Sequence, residues 1–426
     1  MKIAGIIAEY DPLHTGHAWQ IEQAKAMGAQ GIVCVMSPDV VQRGGFSILP
    51  IGVRVQAALL AGADLVIELP APYAASSAEQ FGKGAVHLLA SLGIVDSLVF
   101  GSESGQAAPL MEVAEILLSK EFSENIVKEQ KKGDSFPVAR KRVMEQMAPQ
   151  YLPLLDRPND ILGIEYCKAI LQQNVPICPV AIERQGAGHG GKPQGGFSSA
   201  SWLRKQTALQ GVEGWKEYTP ASCVELYQQA EKQGLLLDTK AANIALLSRL
   251  RNMDIVQIQN IRGIREGLEY RLQKGIRQAT TLEQLYQAMK CKRYPHARLR
   301  RLVLDAALQV PAQLPSLPPY LHLLGASQKG LELWKQAKPE IPAGTSLAKL
   351  EKSSPQGAKI AAIHTNAQDL AALCRQIPQP MGLSYTTPFL IREKLCYKNT
   401  PAIKAGEGLS CNPPCGKVEI GGKGQP

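Results

Sequence analysis

The sequence predicts an α/β fold, a doubly wound and mostly parallel sheet, followed by a mainly α-helical region. Two observations carry this. Apolar, β-rich runs recur at Ile3–Ala8, Gly31–Met36, Asp64–Leu69 and Ser97–Phe100, separated by stretches of helical period. Each run is nearly all apolar instead of alternating, as a strand covered on both faces must be. A third observation adds a site: Glu9-Tyr10-Asp11, Ser37-Pro38-Asp39, Glu68-Leu69-Pro70 and Gly101-Ser102-Glu103-Ser104-Gly105 each follow the carboxyl end of a run. In a parallel sheet those ends face one crevice, and the four groups are expected to converge there.

The first run ends at Asp11-Pro12, and Ala18, Ile21, Ala24 and Met27 then recur at helical spacing. His14-Thr15-Gly16-His17 therefore lies at a helix N-terminus, where unpaired backbone N–H groups and the positive end of the macrodipole attract phosphate. Gly16 has no Cβ to hold a phosphate away from the main chain. The bland alternative is a surface turn that happens to carry two histidines. A metal pair is disfavoured, because no Cys, Asp or Glu follows at ligand spacing.

Gly186, Gly188 and Gly191 match a dinucleotide fingerprint after an expected strand at Ile177–Ile182, but Lys192-Pro193-Gln194-Gly195-Gly196 cannot open the helix which that fingerprint requires. A mobile loop is expected instead. Ser198-Ser199-Ala200-Ser201-Trp202-Leu203-Arg204-Lys205 reads as a helix start with hydroxyl caps. Ser199, Ser201 and Arg204 are either plain capping residues or a phosphate clamp.

A chain of 426 residues with net charge +10 and a pI near 9.1 favours a polyanionic partner. No apolar run is long enough to span a membrane and Met1-Lys2-Ile3 opens straight into a strand, so a cytoplasmic protein with no membrane partner is expected. Nine cysteines scattered among apolar neighbours read as thiols, and Cys411 with Cys415 is weak evidence for a metal.

Beyond residue 210 the pattern is helical at Val224–Lys232, Ala241–Met253, Ile264–Leu272, Leu282–Met289 and Arg298–Val310. Lys290, Lys292, Arg293, Arg298, Arg300 and Arg301 form the densest basic cluster, either a solvated helix face or a surface for RNA phosphates. Tyr294 is expected in the core, although it could stack on a base. Expected limits are an α/β domain over 1–210, a helical domain over 211–350, a weaker α/β or extended segment over 351–403 with a strand at Ile360–Ala362, and a disordered tail over 404–426.

Taken together, several blocks resemble the bacterial tRNA(Met) cytidine acetate ligases of the HxGH nucleotidyltransferase superfamily. They are Glu9 to His17, Val41-Gln42-Arg43-Gly44, Gly62 to Pro70, Phe100 to Ser104, Pro158 to Tyr166, Ser198 to Arg204 and Leu323-Leu324-Gly325. The resemblance implies a Rossmann-like nucleotidyltransferase domain that joins ATP, with Mg²⁺, to acetate, giving acetyl-adenylate and pyrophosphate. The acetyl group then passes to N4 of the wobble cytidine of elongator tRNA(Met). It implies His14 and His17 as catalytic residues. The ATP pocket would be formed by Ile7-Ala8-Glu9-Tyr10-Asp11-Pro12-Leu13-His14-Thr15-Gly16-His17-Ala18-Trp19-Gln20 together with Gly101, Asn159 and Arg184. The chain departs from the family at Pro38-Asp39-Val40, where Asp39 is expected to add negative charge near the phosphates, and at His189-Gly190. Two rival readings stay open: an adenylyltransferase acting on a small cofactor precursor, and a tRNA-binding protein without catalysis.

Overall fold

The computed structural model describes residues 2–185 and 195–395. The expected loop at 186–194, His189-Gly190 included, the tail and the Cys411/Cys415 pair lie outside the described residues. Ten strands are present among the described residues: β1 Ile3–Ala8, β2 Gly31–Met36, β3 Val40–Val41, β4 Gly45–Phe46, β5 Leu65–Glu68, β6 Ser97–Ser102, β7 Cys178–Glu183, β8 Leu321–Ala326, β9 Ala343–Gly344 and β10 Leu390–Ile391. The main sheet runs in the order β10-β8-β5-β2-β1-β6-β7, with β9 paired to β8, while β3 and β4 form a separate hairpin. All pairs in the main sheet are parallel except β5 with β8.

Strand alternation divides the core in two. Val33 and Val35 of β2, with Leu65 and Ile67 of β5, enter one apolar cluster, and Ala4, Ile6, Ile32, Cys34 and Val66 enter the other. Both faces are covered, which is why these strands read as unbroken apolar runs. Strand order reverses direction at β1, which has β2 on one side and β6 on the other. A crevice opens at such a point because the connections leave on opposite faces.

Six helices bear on the cleft or on the packing around it: α1 Thr15–Ala26, α2 Ile51–Leu60, α3 Pro158–Gln173, α4 Ala200–Gln210, α5 His296–Ala307 and α6 Pro355–Leu373. None of the described helices is long and apolar enough to cross a membrane. The expected strand at Ile360–Ala362 is helical and lies inside α6, where Ile360, Ala361 and Ile363 pack into the core. Three apolar residues cannot separate a strand from a buried helix face, and the Ser354 cap on the Gly357 N–H decides the matter. The expected domain limits also differ from the packing. Residues 1–395 group as one compact unit, because β8 and β10 come from late in the chain yet extend the sheet begun by β1.

Candidate active site

A cleft of about 370 Å³ lies at the carboxyl ends of β1 and β6. The chain leaves β1 through Tyr10, which is buried with a φ of 47°, and turns into α1. His14 caps that helix with its own imidazole. Its Nδ1 accepts the Gly16 N–H at 3.1 Å, and the His14 N–H is donated to His17 Nδ1 at 3.3 Å. The two rings stack with centroids 3.7 Å apart. With both Nδ1 atoms accepting, each neutral ring must carry its proton on Nε2, which is then the donor it can offer a ligand.

Burial and the nearby Arg184 and Arg204 push the His14 imidazole down to about 3. His17 is lowered well below its ordinary value by burial, by His14 and by the same two arginines. Both rings are therefore neutral at physiological pH, acting as hydrogen-bond donors and not as cations.

Positive charge comes from three arginines on the lining, Arg43, Arg184 and Arg204. Arg43, beside the β3–β4 turn, pairs with Asp11 at 3.2 Å and with Glu9 at 3.6 Å. Arg204 donates to the Asp11 carbonyl and lies 3.6 Å from the Asp11 carboxylate. Arg184 donates to Asn159 Oδ1 at 3.1 Å. The first turn of α3 brings Asn159, and the first turn of α4 brings Ser199 and Ser201. Three helix N-termini thus border one cleft, and the positive ends of their dipoles favour an anion there.

Of the residues expected for ATP, Ile7, Ala8, Glu9, Tyr10, Asp11, His14, His17, Gln20, Gly101, Asn159 and Arg184 line this cleft. Gly16 and Trp19 line a small recess next to it. Pro12, Leu13, Thr15 and Ala18 line neither; Leu13 is fully buried and Thr15 Oγ1 donates to the Gly196 carbonyl. Ser199 does cap α4, accepting the Trp202 N–H at 3.3 Å, and it also lines the cleft.

The four groups after the strands do not all converge. Asp39 is buried and contacts Arg54 of α2 and Arg375, each at 3.4 Å, so its charge is compensated inside the protein and not presented to phosphates. Glu68 is also sealed away, 2.7 Å from His322 and 3.3 Å from His364. Sequence reasoning gave Arg43 no site role, although it lies in the Val41-Gln42-Arg43-Gly44 block that carries the family resemblance. Arg54 was missed too: fully buried, it donates to the carbonyls of Glu9, Ser37, Pro38 and Leu49 and so ties the β1 and β2 exits together.

The basic cluster has mixed surroundings. Lys290 is exposed, Lys292 pairs with Asp134 and Arg293 with Glu266. Arg298 sits 4.2 Å above the Tyr294 ring, and Tyr294 itself is buried and donates to Glu266. Arg301 donates to the Gln42 carbonyl at 3.3 Å, and the α5 backbone at Arg300 and Arg301 lies so close to Gly44, whose φ is +78°, that a Cβ there would come within 2.5 Å of it. The basic helix therefore packs directly on the hairpin that carries Arg43.

Comparison with known proteins agrees with this geometry. Residues 1–382 match the HIGH Nucleotidyl Transferase family. The chain is 36% identical to the tRNA(Met) cytidine acetate ligase of Thermoanaerobacter sp. (strain X514) over 353 residues, 80% of this chain and 87% of that protein. It is 33% identical to the ligase of the same name from Acetivibrio thermocellus over 414 residues, 92% of this chain and all of that protein. Thermotoga maritima TmcAL, solved bound with alpha-thio ATP, superposes with a TM-score of 0.84 at 27% identity, covering 92% of this chain and 100% of that one. A cleft built for an anion and these three likenesses lead to one assignment: the chain belongs to the tRNA(Met) cytidine acetate ligase family of HIGH nucleotidyl transferases.

Proposed function

We propose that this protein joins acetate to the AMP moiety of ATP in the cleft and then transfers the acetyl group to N4 of the wobble cytidine of elongator tRNA(Met). The observation that carries the reading is the meeting of two neutral imidazoles, three arginines and three helix N-termini in one cleft. A carboxylate oxygen of acetate attacks the α-phosphorus, a P–O bond forms, and pyrophosphate leaves with the electrons of the broken P–O bond. Charge builds on phosphate oxygens, so fixed donors lower the barrier and no protein nucleophile is required. His14 and His17 donate through Nε2, and Arg204 with the Ser199 and Ser201 hydroxyls holds the outer phosphates. The cytidine amine then attacks the acetyl carbonyl, the acyl C–O bond breaks, AMP departs with its electrons, and the amine gives up one proton to water.

Magnesium would arrive with the triphosphate. Among the described residues no three His, Cys, Asp or Glu side chains form a metal site, and the Asp11 carboxylate already accepts the Ile48 N–H and pairs with Arg43. That environment suits an ion held mainly by phosphate and water, the usual habit of Mg²⁺, whose role there is to neutralise phosphate charge. The basic residues Arg298, Arg300 and Arg301 on α5, with Lys290, Lys292 and Arg293, form the RNA-facing surface. Such an enzyme works in the cytoplasm on folded tRNA.

ATP–pyrophosphate exchange that depends on acetate, together with mass analysis of tRNA(Met) nucleosides after incubation with ATP and labelled acetate, tests the reading. Exchange with acetate and a labelled N4-acetylcytidine is expected. Exchange only with a cofactor precursor would favour the first rival, and tRNA binding without exchange the second.

A further inference from the structure

The Asn159 side chain stands between Glu103 and Arg184. Its Nδ2 donates to Glu103 Oε1 at 2.6 Å, and its Oδ1 accepts from Arg184 Nη1 at 3.1 Å. Glu103 is itself held in place: Oε2 accepts the Asp160 N–H at 2.9 Å and the Asn159 N–H at 3.1 Å, at the start of α3. An ionised carboxylate can only accept and a guanidinium can only donate, so the Asn159 amide has one permitted orientation. Its oxygen faces Arg184, on the cleft side.

Asn159, Leu162 and Tyr166 lie three and seven residues apart along α3, and all three line the cleft beside Phe100. An apolar wall that ends in one oriented amide suits a flat heterocycle with a polar edge better than it suits a sugar or a phosphate. We propose that Glu103 is a positioning residue that locks the Asn159 carbonyl toward the cleft, so that the base subsite accepts a purine with an exocyclic amine and rejects one with a carbonyl at that place. The inference rests on the reading that this cleft holds ATP. Adenine offers the amine hydrogen that Asn159 Oδ1 needs, and the adjacent Arg184 offers a donor to a ring nitrogen. Guanine would set its carbonyl oxygen against the Asn159 oxygen.

Glu103→Gln separates this role from helix capping. The glutamine oxygen still accepts the Asn159 and Asp160 N–H groups, which leaves its NH₂ facing the Asn159 side chain. The Asn159 amide then meets a donor on each side, the new NH₂ and Arg184, so neither orientation satisfies both and its oxygen is no longer held toward the cleft. Calorimetric titration of the full-length protein with ATP and with GTP reads the effect directly. Wild type is expected to prefer ATP, and Glu103→Gln to shrink the ATP:GTP affinity ratio by about tenfold or more, the size of one misdirected hydrogen bond. Glu103→Asp, which remains acceptor-only, is expected to weaken both nucleotides while keeping the ratio. Asn159→Ala removes the oriented oxygen without touching the Glu103 bonds to the α3 backbone, and it should lose the preference as well. A purely structural role for Glu103 would lower both affinities together and leave the ratio unmoved in the Gln variant, which overturns the proposal. An unchanged ratio in Asn159→Ala would also overturn it. If wild type bound neither nucleotide the ATP reading itself would fall, a result distinct from wild-type ATP preference retained in the variants.

Discussion

One histidine pair follows the carboxyl end of β1 and another, from β8 and α6, flanks the carboxyl end of β5, and they have opposite fates. After β1, His14 and His17 cap a helix, border an open cleft and have arginines for neighbours; burial and those positive charges keep them neutral. After β5, His322 and His364 flank the buried Glu68, and none of these three residues lines the cleft. There burial alone would raise the Glu68 carboxyl, but His364 and His322 together outweigh it and hold the group well below the ordinary carboxylate range. The same residue type thus serves as a neutral donor toward a ligand in one place and as the partner of a buried charge in the other. The surroundings differ: burial with arginines nearby at His14 and His17, a buried carboxylate beside His322 and His364.

Substitutions can break this contrast from either side. Glu68→Ala should have the largest effect on stability, about 3–5 kcal/mol, because it leaves the buried histidines without their carboxylate; chemical denaturation measures it, and a loss under about 1 kcal/mol would show the pair to be unimportant. The corresponding change in the open pair, His17→Ala, should act on chemistry, lowering acetate-dependent pyrophosphate exchange by about 10²–10³-fold, the scale for one missing transition-state donor. His14→Asn sharpens the distinction: its Oδ1 can still accept the Gly16 N–H, so the melting temperature should stay within a few degrees while exchange falls with the loss of the Nε2 donor.

Acidity provides a fourth test. The folded-state Glu68 carboxyl sits below its ordinary 4.5, so its stabilisation is complete above that pH and falls away as the pH drops further. Melting curves taken downward from about pH 6 should show an acid-side decline that is shallower in Glu68→Gln. The smallest effect is expected at the surface proposed to face tRNA. Replacing Arg298 and Lys292 with alanine should leave exchange unchanged and weaken acetyl transfer to tRNA, and the salt dependence of transfer should flatten by about one unit of slope for each phosphate no longer held.

Much of the sheet is legible in the residues alone. β1, β2, β5 and β6 are runs whose composition demands burial on both faces, and α1 declares itself through Ala18, Ile21 and Ala24. The histidine turn is legible for the same reason, since a strand end and a helix start fix its place. Glu68 and Asp39 are not: their partners His322, His364 and Arg375 lie hundreds of residues away, and local pattern carries no record of such pairings. Arg43 and Glu103 lie in blocks that the sequence singles out, but their roles are not legible there, because each acts by holding or facing a group brought in from another element. β8 is likewise hidden, a short, mostly apolar run inside a helical region that finds its place between β5 and β10.

The antiparallel seam between β5 and β8 has a consequence for how the molecule comes into being. A ribosome will have made every residue that lines the cleft while β5 still shows an unpaired edge, and that edge stays open until residue 326 has emerged. A fragment cut at Gln210 would keep the histidine turn but expose Leu65 to Glu68 to any other chain seeking a strand. It should clump where the full-length protein stays dissolved.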